Sequence, residues 1–593
     1  MSFTVCIALA ASLFVAFTII PAIAASLFKK EKKVYEDIEE KGWVKNMNDK
    51  YSILLAKVLN NKKKVLGSVF GLLVLSIVLT FFIGTEFMPG QDMGISALHI
   101  RLPEGSLLSE TNHVISQVEK RFLARPEVLG VFSMVGQTQG SKFDVAGEDV
   151  GVNVGTVYIR FKDKDKRKGS MEEIINEVRK QFPKLTGVDY RFQDMAASTL
   201  GGSSDTPIAI DLFGSEIDVL DKLSDEMMLK LKDIEGLKDL KKSLKKRKPE
   251  LQIVVDREEA ARYGLTVYNI ADAVQTAMQG TVVSFFREKG KEYDIRVKFN
   301  DEGSNSYEAL KNVYIQSPIK ANYTSQGPEG FMLPLSQVTK TVKAYGPISI
   351  FRKDQTRVVT VGGTNFKRDM GSITKDIIKV LDSIKYPEGY SYQIGGSFEQ
   401  MQKSFKQLGL AFFVAIALIY MIMAAQFESL SQPFVVMFTM PLAYIGVVLG
   451  LLLTGNNLSV PAIMGLIILM GIVVKNGIVM IDYINQLRLR GVDKTEAIIQ
   501  GASVRLRPVL MTSLTAIVGM LPMAFSRGEG SEMSSPMALA VSFGLMVSTM
   551  LTLFVIPSIY FVVEDYTPKI RHWISRKLFG EDDFMGHEDR LHR

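Results

Sequence analysis

Cysteine is almost absent: among 593 residues there is one, Cys6. A single thiol closes no intrachain disulfide and builds no cysteine-based metal cluster. Histidine is nearly as scarce. His99, His113, His572, His587 and His592 show no HxxxH or paired ligand spacing, so the sequence gives metal chemistry no support. No GxxxxGK[ST] run is present, and the glycines of MPGQDMG and IGGSFEQ read as loop glycines, which leaves no phosphate-binding loop of that kind. Charge is thin as well. Charged residues make up 22% against 47% hydrophobic, which excludes a disordered chain.

The mean hydropathy of +0.14 averages over an uneven layout. Apolar blocks lie at both ends, and an ordinary polar stretch lies between them. Seven apolar runs are long enough for a bilayer core of about 30 Å, near 4–28, 65–83, 405–425, 433–453, 461–484, 509–525 and 536–562. The first has no basic residue ahead of it and is followed by Lys29, Lys30, Lys32 and Lys33, so it reads as a span, not a cleaved leader.

The basic residues orient these spans. The segment 29–64 carries two lysine clusters, and 485–507 carries Arg488, Arg490, Lys494, Arg505 and Arg507 against Asp493 and Glu496. Both belong on the cytoplasmic side; the uncharged loop 454–460 and the mixed loop 526–535 belong outside. One alternating path satisfies all four, with 84–404 outside and the C-terminus inside. The stretch 31–58 fits a mixed-charge amphipathic helix along the cytoplasmic surface, or an ordinary linker helix.

Within 84–404, strands at 94–102, 128–134, 154–162 and 187–193 and helices at 108–123 and 170–181 follow the β-α-β-β-α-β order of a ferredoxin-like unit. A second unit begins at strand 207–213 and helix 217–233, includes strands near 238–243 and 251–256, and returns at 356–364, 372–384 and 390–394. An inserted subdomain spans 257–345, with a helix from Val267, a strand at 293–299 and a Gly/Pro/Asn-rich loop at 317–331. The expected divisions are therefore a span at 1–28, a cytoplasmic linker at 29–64, a span at 65–83, a first α/β subdomain at 84–200, a second at 201–256 and 346–404 around the 257–345 insert, five spans over 405–562 and a cytoplasmic tail at 563–593. The basic run KKSLKKRKPE (241–250) reads as a solvated outward turn, not a nucleic-acid contact.

One span departs from the rest. In PAIMGLIILMGIVVKNGIVMIDYI (461–484), Lys475 is central and Asn476 is beside it. An ammonium at mid-bilayer costs about 2.5–3.5 kcal/mol on insertion scales and calls for a carboxylate partner. Asp482 is seven residues on, about 10 Å along the helix, too far to pair. No other carboxylate stands near the middle of a span. Arg505 and Thr512 share a face of the next span; Thr515 and Ser513 extend that polar trace, and Arg507 reads as an anchor at the membrane boundary. Gly465, Gly471 and Gly477 lie near one side of the lysine helix and suit close packing against a neighbouring helix.

Several stretches together resemble the resistance-nodulation-division (RND) transporters, in particular the hydrophobe/amphiphile exporter branch of multidrug pumps: EFMPGQDMGISALHIRLPEGSLLSET (86–111), VDREEAARYGLTVYNIADAV (255–274), PLSQVTKTV (334–342), GPISIFRKDQTRVVTVGG (346–363), YSYQIGGSFEQMQKSF (390–405), GIVVKNGIVMIDYINQLRLRG (471–491) and VRLRPVLMTSLTAIVGMLPMAF (504–525). The resemblance runs from about residue 3 to about 563 and fits the C-terminal part of such a pump. It implies a polytopic α-helical membrane protein with a periplasmic α+β region, and a proton-driven exporter of hydrophobic or amphiphilic compounds in the bacterial inner membrane, needing no cofactor. It implies a homotrimer with a periplasmic adaptor and, in Gram-negative cells, an outer-membrane channel. Lys475, Arg505 and Thr512 match the family's proton-relay residues, and Asn476 stands at the asparagine beside the lysine.

The departure from the family is a missing first half, including the span whose adjacent aspartates would pair with Lys475. A split subunit, a fragment of a longer chain and a remnant all fit. Export of metal ions or lipids by the same machinery, or a non-transporting scaffold, are the rival functions. Met134, Met171, Met195, Met227 and Met228 are scattered and read as core. Phe285, Phe286 and Phe331 are also read as core packing before any substrate contact.

Overall fold

The computed structural model describes residues 2–27, 43–103, 105–137, 151–182, 185, 187–194, 207–244, 248–298, 313–320, 330–346 and 350–579. The chain divides into a helical unit (Met1–Ile83, Phe405–Ser526 and Ser531–Arg593) and an α/β unit (Gly84–Ser404 and Arg527–Gly530). The helical unit opens with α1 (Ser2–Phe17) and α2 (Ile19–Leu27), where one uninterrupted span over 4–28 was expected. The break falls at Thr18, three residues before Pro21, which has no N–H to give the Phe17 carbonyl. The first part of the expected 31–58 helix lies outside the described residues. Its remainder is α3 (Trp43–Asn60), followed by α4 (Lys62–Thr80). Tyr51, Leu55 and Leu59 recur every four residues on α3 and are buried as one stripe.

In the α/β unit, β1 (Ile95–Arg101), α5 (Leu108–Leu123), β2 (Val128–Gln137), β3 (Gly151–Phe161), α6 (Met171–Arg179) and β4 (Asp189–Asp194) form a four-stranded sheet of order β2-β3-β1-β4. Every neighbour is antiparallel. Leu98, Ile100, Val157 and Ile159 point to one face and pack with Val114, Val118 and Phe122 of α5 and Ile174 and Val178 of α6. The next sheet is built from β5 (Ile208–Phe213), α7 (Ile217–Leu231), β6 (Leu237–Lys242) and later segments of the chain.

The strand at 251–256, expected in that second unit, belongs elsewhere: β7 (Lys248–Val255) pairs with β12 (Thr339–Gly346) in a separate two-stranded ribbon. That register, Val255 opposite Thr339 to Lys248 opposite Gly346, ties the two ends of the insert together and leaves β7 no partner in the second sheet. Between them lie α8 (Val267–Met278) and the hairpin of β8 (Thr281–Glu288) and β9 (Lys291–Val297). The pair β10 (Tyr314–Lys320) and β11 (Gly330–Pro334) occupies part of the expected 317–331 loop. The chain then returns through β13 (Arg352–Lys353), β14 (Thr356–Asn365), α9 (Met370–Asp382) and β15 (Ser391–Gly395), completing the order β13-β14-β5-β15 with β6 also on β14.

The remaining helices are α10 (Gly396–Phe427), α11 (Ser431–Met437), α12 (Thr439–Thr454), α13 (Val460–Leu489), α14 (Lys494–Ala524) and α15 (Ser531–Phe579). The α11–α12 break at Phe438 again stands three residues before a proline, Pro441, whereas Pro508 and Pro522 lie inside α14 without ending it. Among the described residues six helical segments are long and apolar enough to cross a membrane, against the seven expected; the first run counts only as the shorter apolar helix Ala10–Ser26. The segments Ser431–Thr454 and Ser531–Asp565 are 67% buried over their apolar windows, but Lys62–Thr80 and Gly396–Phe427 only 6%, so α12 and α15 form the centre. Glycines set that spacing: a Cβ on Gly446 would stand 2.6 Å from the Phe543 carbonyl oxygen, and one on Gly465 2.7 Å from that of Met537.

Candidate functional site: the lysine face of the helical unit

Pro461 in the first turn of α13 and the absence of any later proline in the run allow a helix of 30 residues, with Lys475 near its middle. Val473, Val474, Asn476 and Gly477 are buried, whereas Gly471 and Lys475 are exposed. The helix therefore has one packed side and one uncovered side, and the ammonium is on the uncovered side. Lys475 has no hydrogen-bond or ion-pair partner among the described residues. Asp482, the nearest carboxylate on α13, accepts instead from Gln486 Nε2 at 2.9 Å.

On the packed side three helices meet through polar groups. Asn476 Nδ2 donates to Ser513 Oγ at 3.0 Å, and Thr549 Oγ1 donates to the same oxygen at 3.0 Å. All three residues are buried. In hydrocarbon surroundings an unmade bond of this kind is expensive, so the trio fixes α13, α14 and α15 in one register.

The expected relay residues are not gathered at one point. Thr512 and Thr515 are exposed on α14, and each donates back to its own helix, to the Val509 and Met511 carbonyls. Arg505 lies over the Tyr483 ring at 4.7 Å, eight residues beyond Lys475 and about 12 Å along the helix. Its Nε is buried and has no hydrogen-bond partner among the described residues. Thus Asn476 is brought to Ser513, the neighbour of Thr512, and Arg505 is held apart by an aromatic face. Sequence reasoning missed Thr549. The available signal was the series of small hydroxyls Ser542, Ser548, Thr549 and Thr552 in the apolar part of this helix, of which Ser542 and Thr549, seven residues apart, share a side. Gly471 has nothing within 4 Å of its Cβ position, whereas Gly465 meets Met537 and Gly477 meets Val436 and Thr439; the three expected packing glycines therefore do not serve one partner helix.

In the α/β unit, the face of β1–β4 turned away from α5 and α6 carries His99, Arg101, Phe132, Met134, Thr156, Tyr158 and Arg191 in facing register. Phe132 is 60% exposed and lies 6.2 Å from the Tyr158 ring. Met171 and Met227 are in the hydrophobic cores and Met195 lies outside the described residues. No group of three His, Cys, Asp or Glu is placed to hold a metal among the described residues. Phe285 and Phe286 correct the core-packing reading. They are 53% and 54% exposed on the β8–β9 hairpin, which pairs with no third strand among the described residues.

Long apolar helices with one mid-span lysine, in a chain that also carries α/β sheets of this order, define a polytopic transporter-type membrane protein. The chain belongs to the AcrB/AcrD/AcrF family, which it matches over residues 1–564. It is 31% identical over 571 residues to Protein HelA of Legionella pneumophila, covering 95% of this chain and 53% of that protein. It is likewise 31% identical over 571 residues to the cobalt-zinc-cadmium resistance protein CzcA of Cupriavidus metallidurans, covering 94% and 52%. A solved heavy metal efflux pump superposes with a TM-score of 0.76 at 25% identity, over 88% of this chain and 52% of that one. The chain thus has the RND efflux-pump fold and spans about half the length of the curated relatives it matches. CzcA and the solved pump are named for metal efflux, not for the hydrophobe/amphiphile branch read from the motifs.

Proposed function

We propose that this chain is the lysine-bearing, C-terminal part of a proton-driven RND exporter in a bacterial inner membrane, with residues 84–404 periplasmic and the C-terminus cytoplasmic. The observation that carries the reading is Lys475, exposed at mid-span beside a satisfied buried polar cluster. An ammonium there is costly unless a carboxylate faces it. A further stretch of pump bearing an aspartate pair, in the same chain or a partner subunit, supplies that charge. When the aspartates are ionised they pair with Lys475; their protonation releases the pair and biases α13 and α14 toward another packing. Asn476 keeps α13 anchored to α14 and α15 during that change, and Arg505 and Thr512 stand on the proton route. The working assembly is a homotrimer with a periplasmic adaptor and, in a Gram-negative host, an outer-membrane channel. No cofactor takes part.

Hydrophobic or amphiphilic small molecules are the cargo favoured by the geometry. The β1–β4 face turned away from α5 and α6 offers Phe132 and Tyr158 to apolar rings, while Arg191 on that face is already paired with Asp189 at 3.0 Å. Divalent metal ions are the second reading, favoured by the relatives named for cobalt, zinc and cadmium. The test is growth of a pump-deficient host carrying the complete transporter, on amphiphilic antibacterials and on zinc, cobalt and cadmium salts. The first reading expects protection against amphiphiles that K475M abolishes at unchanged protein level. Protection against the metal salts alone would replace it with the second.

A further inference from the structure

A cavity of about 370 Å³ opens between α3, α14 and α15. Its wall is mainly apolar, with Met47 and Leu54 from α3, Leu506 and Leu510 from α14, and Leu553 and Phe554 from α15; Asn46 and Lys50 of α3 complete it on the polar side. The cavity is built, not left by loose packing. Tyr51 OH donates to the Leu553 carbonyl at 2.6 Å and Ser52 Oγ lies 2.7 Å from Ser503 Oγ, so α3 is pinned to both other helices beside it. Arg507 is one turn beyond Ser503, between Leu506 and Leu510, and is exposed. Lys50 is exposed too. The acidic groups of these helices leave that sign in place: Asp49 is not among the lining residues, Glu496 is ten residues before Leu506, Glu532 is more than twenty before Leu553, and Glu564 and Asp565 are ten and eleven past Phe554, each about 15 Å or more along its helix.

We propose that this cavity binds an anionic glycerophospholipid, one acyl chain among the leucines and its phosphate held by Lys50 and Arg507. The apolar wall accepts methylenes, and Lys50 in the lining, with Arg507 on the helix turn that carries Leu506 and Leu510, selects the headgroup. The lipid would fill the wedge between an amphipathic helix and the two membrane helices, joining the position of α3 to that of α14, the helix that carries Ser513.

The test uses the full chain purified in mild detergent from bacterial membranes, with bound lipids extracted and counted by mass spectrometry against the source membrane. Phosphatidylglycerol or cardiolipin should be enriched roughly thirtyfold over phosphatidylethanolamine, the factor expected of two basic side chains at about 1 kcal/mol each near an anionic lipid. K50E should erase the headgroup preference, L54W should displace the lipid by filling the cavity without changing charge, and K57E, which alters a lysine outside the lining, should do neither. Oxidative cross-linking of a Ser52→Cys, Ser503→Cys pair in a Cys6→Ser background reports that α3 stays docked in each variant. Bound lipid matching the bulk composition, or enrichment that survives both K50E and L54W with α3 docked, overturns the proposal.

Discussion

At the level of single residues, the lysine and its neighbour carry opposite expectations. Lys475 is uncompensated within the described residues, so removing its charge takes away a cost of about 2.5–3.5 kcal/mol and breaks no bond. K475M expressed as this chain should therefore insert into membranes at least as well as wild type, measured by carbonate-resistant membrane fraction; a sharp loss of insertion would sink the reading. Asn476 is the reverse case. Ser513→Ala leaves its buried amide and the Thr549 hydroxyl without their shared acceptor, a loss of about 1–3 kcal/mol per orphaned group. Thermal unfolding in detergent should show S513A well below wild type, and S513A combined with N476L should recover part of the loss, because the orphaned amide is gone. A further expectation concerns Asp369, the N-cap of α9, which accepts from the Ser372 amide at 2.9 Å and the Thr85 amide at 3.1 Å. Burial pushes its carboxyl upward, but the bonds from Ser372 and Thr85 outweigh this and hold it below its ordinary value. A depressed carboxylate contributes its full stability above the unfolded value of about 3.9 and loses it as pH falls through the lower folded value. Hydrogen exchange over 370–382 should thus quicken more steeply in acid for wild type than for D369N, whose amide cap does not titrate there.

Elements are where the sequence was most legible, and for a physical reason. The four strands and two helices of the first sheet stand within three residues of their expected ends, because each alternates or repeats its apolar positions against one shared core. The pattern of β7 was equally clear, but its partner was not. Strand pairing depends on β12, more than eighty residues away, and periodicity carries no information about that. Phe285 and Phe286 were misjudged because a residue type says what burial would be worth, not whether a third strand arrives to provide it. Glycine spacing was legible as close packing without its partners. Here the structure separates two glycines six residues apart on α13. Gly465→Ala puts a methyl 2.7 Å from a backbone oxygen of α15, where nothing flexible gives way; Gly471→Ala meets open space. Melting of the purified chain should fall by several degrees for G465A and be unchanged or slightly raised for G471A, since alanine also stabilises a helix by about 1 kcal/mol over glycine. Equal effects would mean that the α13–α15 approach is looser than the glycines imply.

For the whole molecule, what the sequence makes plain is an unfinished charge. Lys475 has no ion-pair partner among the described residues. Gly471 and Lys475 on α13 and Met511, Thr512, Leu514 and Thr515 on α14 are exposed. Lipid tails would cover the apolar side chains but give the lysine no counter-charge, so a helix that brings carboxylate to Lys475 is favoured over lipid by the pairing itself. This leads to a test in trans. A polypeptide supplying the family's aspartate-bearing half, co-expressed with this chain, should co-purify with it. Removing the charge by K475M should weaken that association, and reversing it by K475D should weaken it further, because like charges would then face each other in hydrocarbon. Placing lysine on the aspartate side should restore the K475D complex. Rescue by the swap locates the aspartates against Lys475, whereas equal association of all the variants would mean that the halves meet through other surfaces and that the lysine serves no relay.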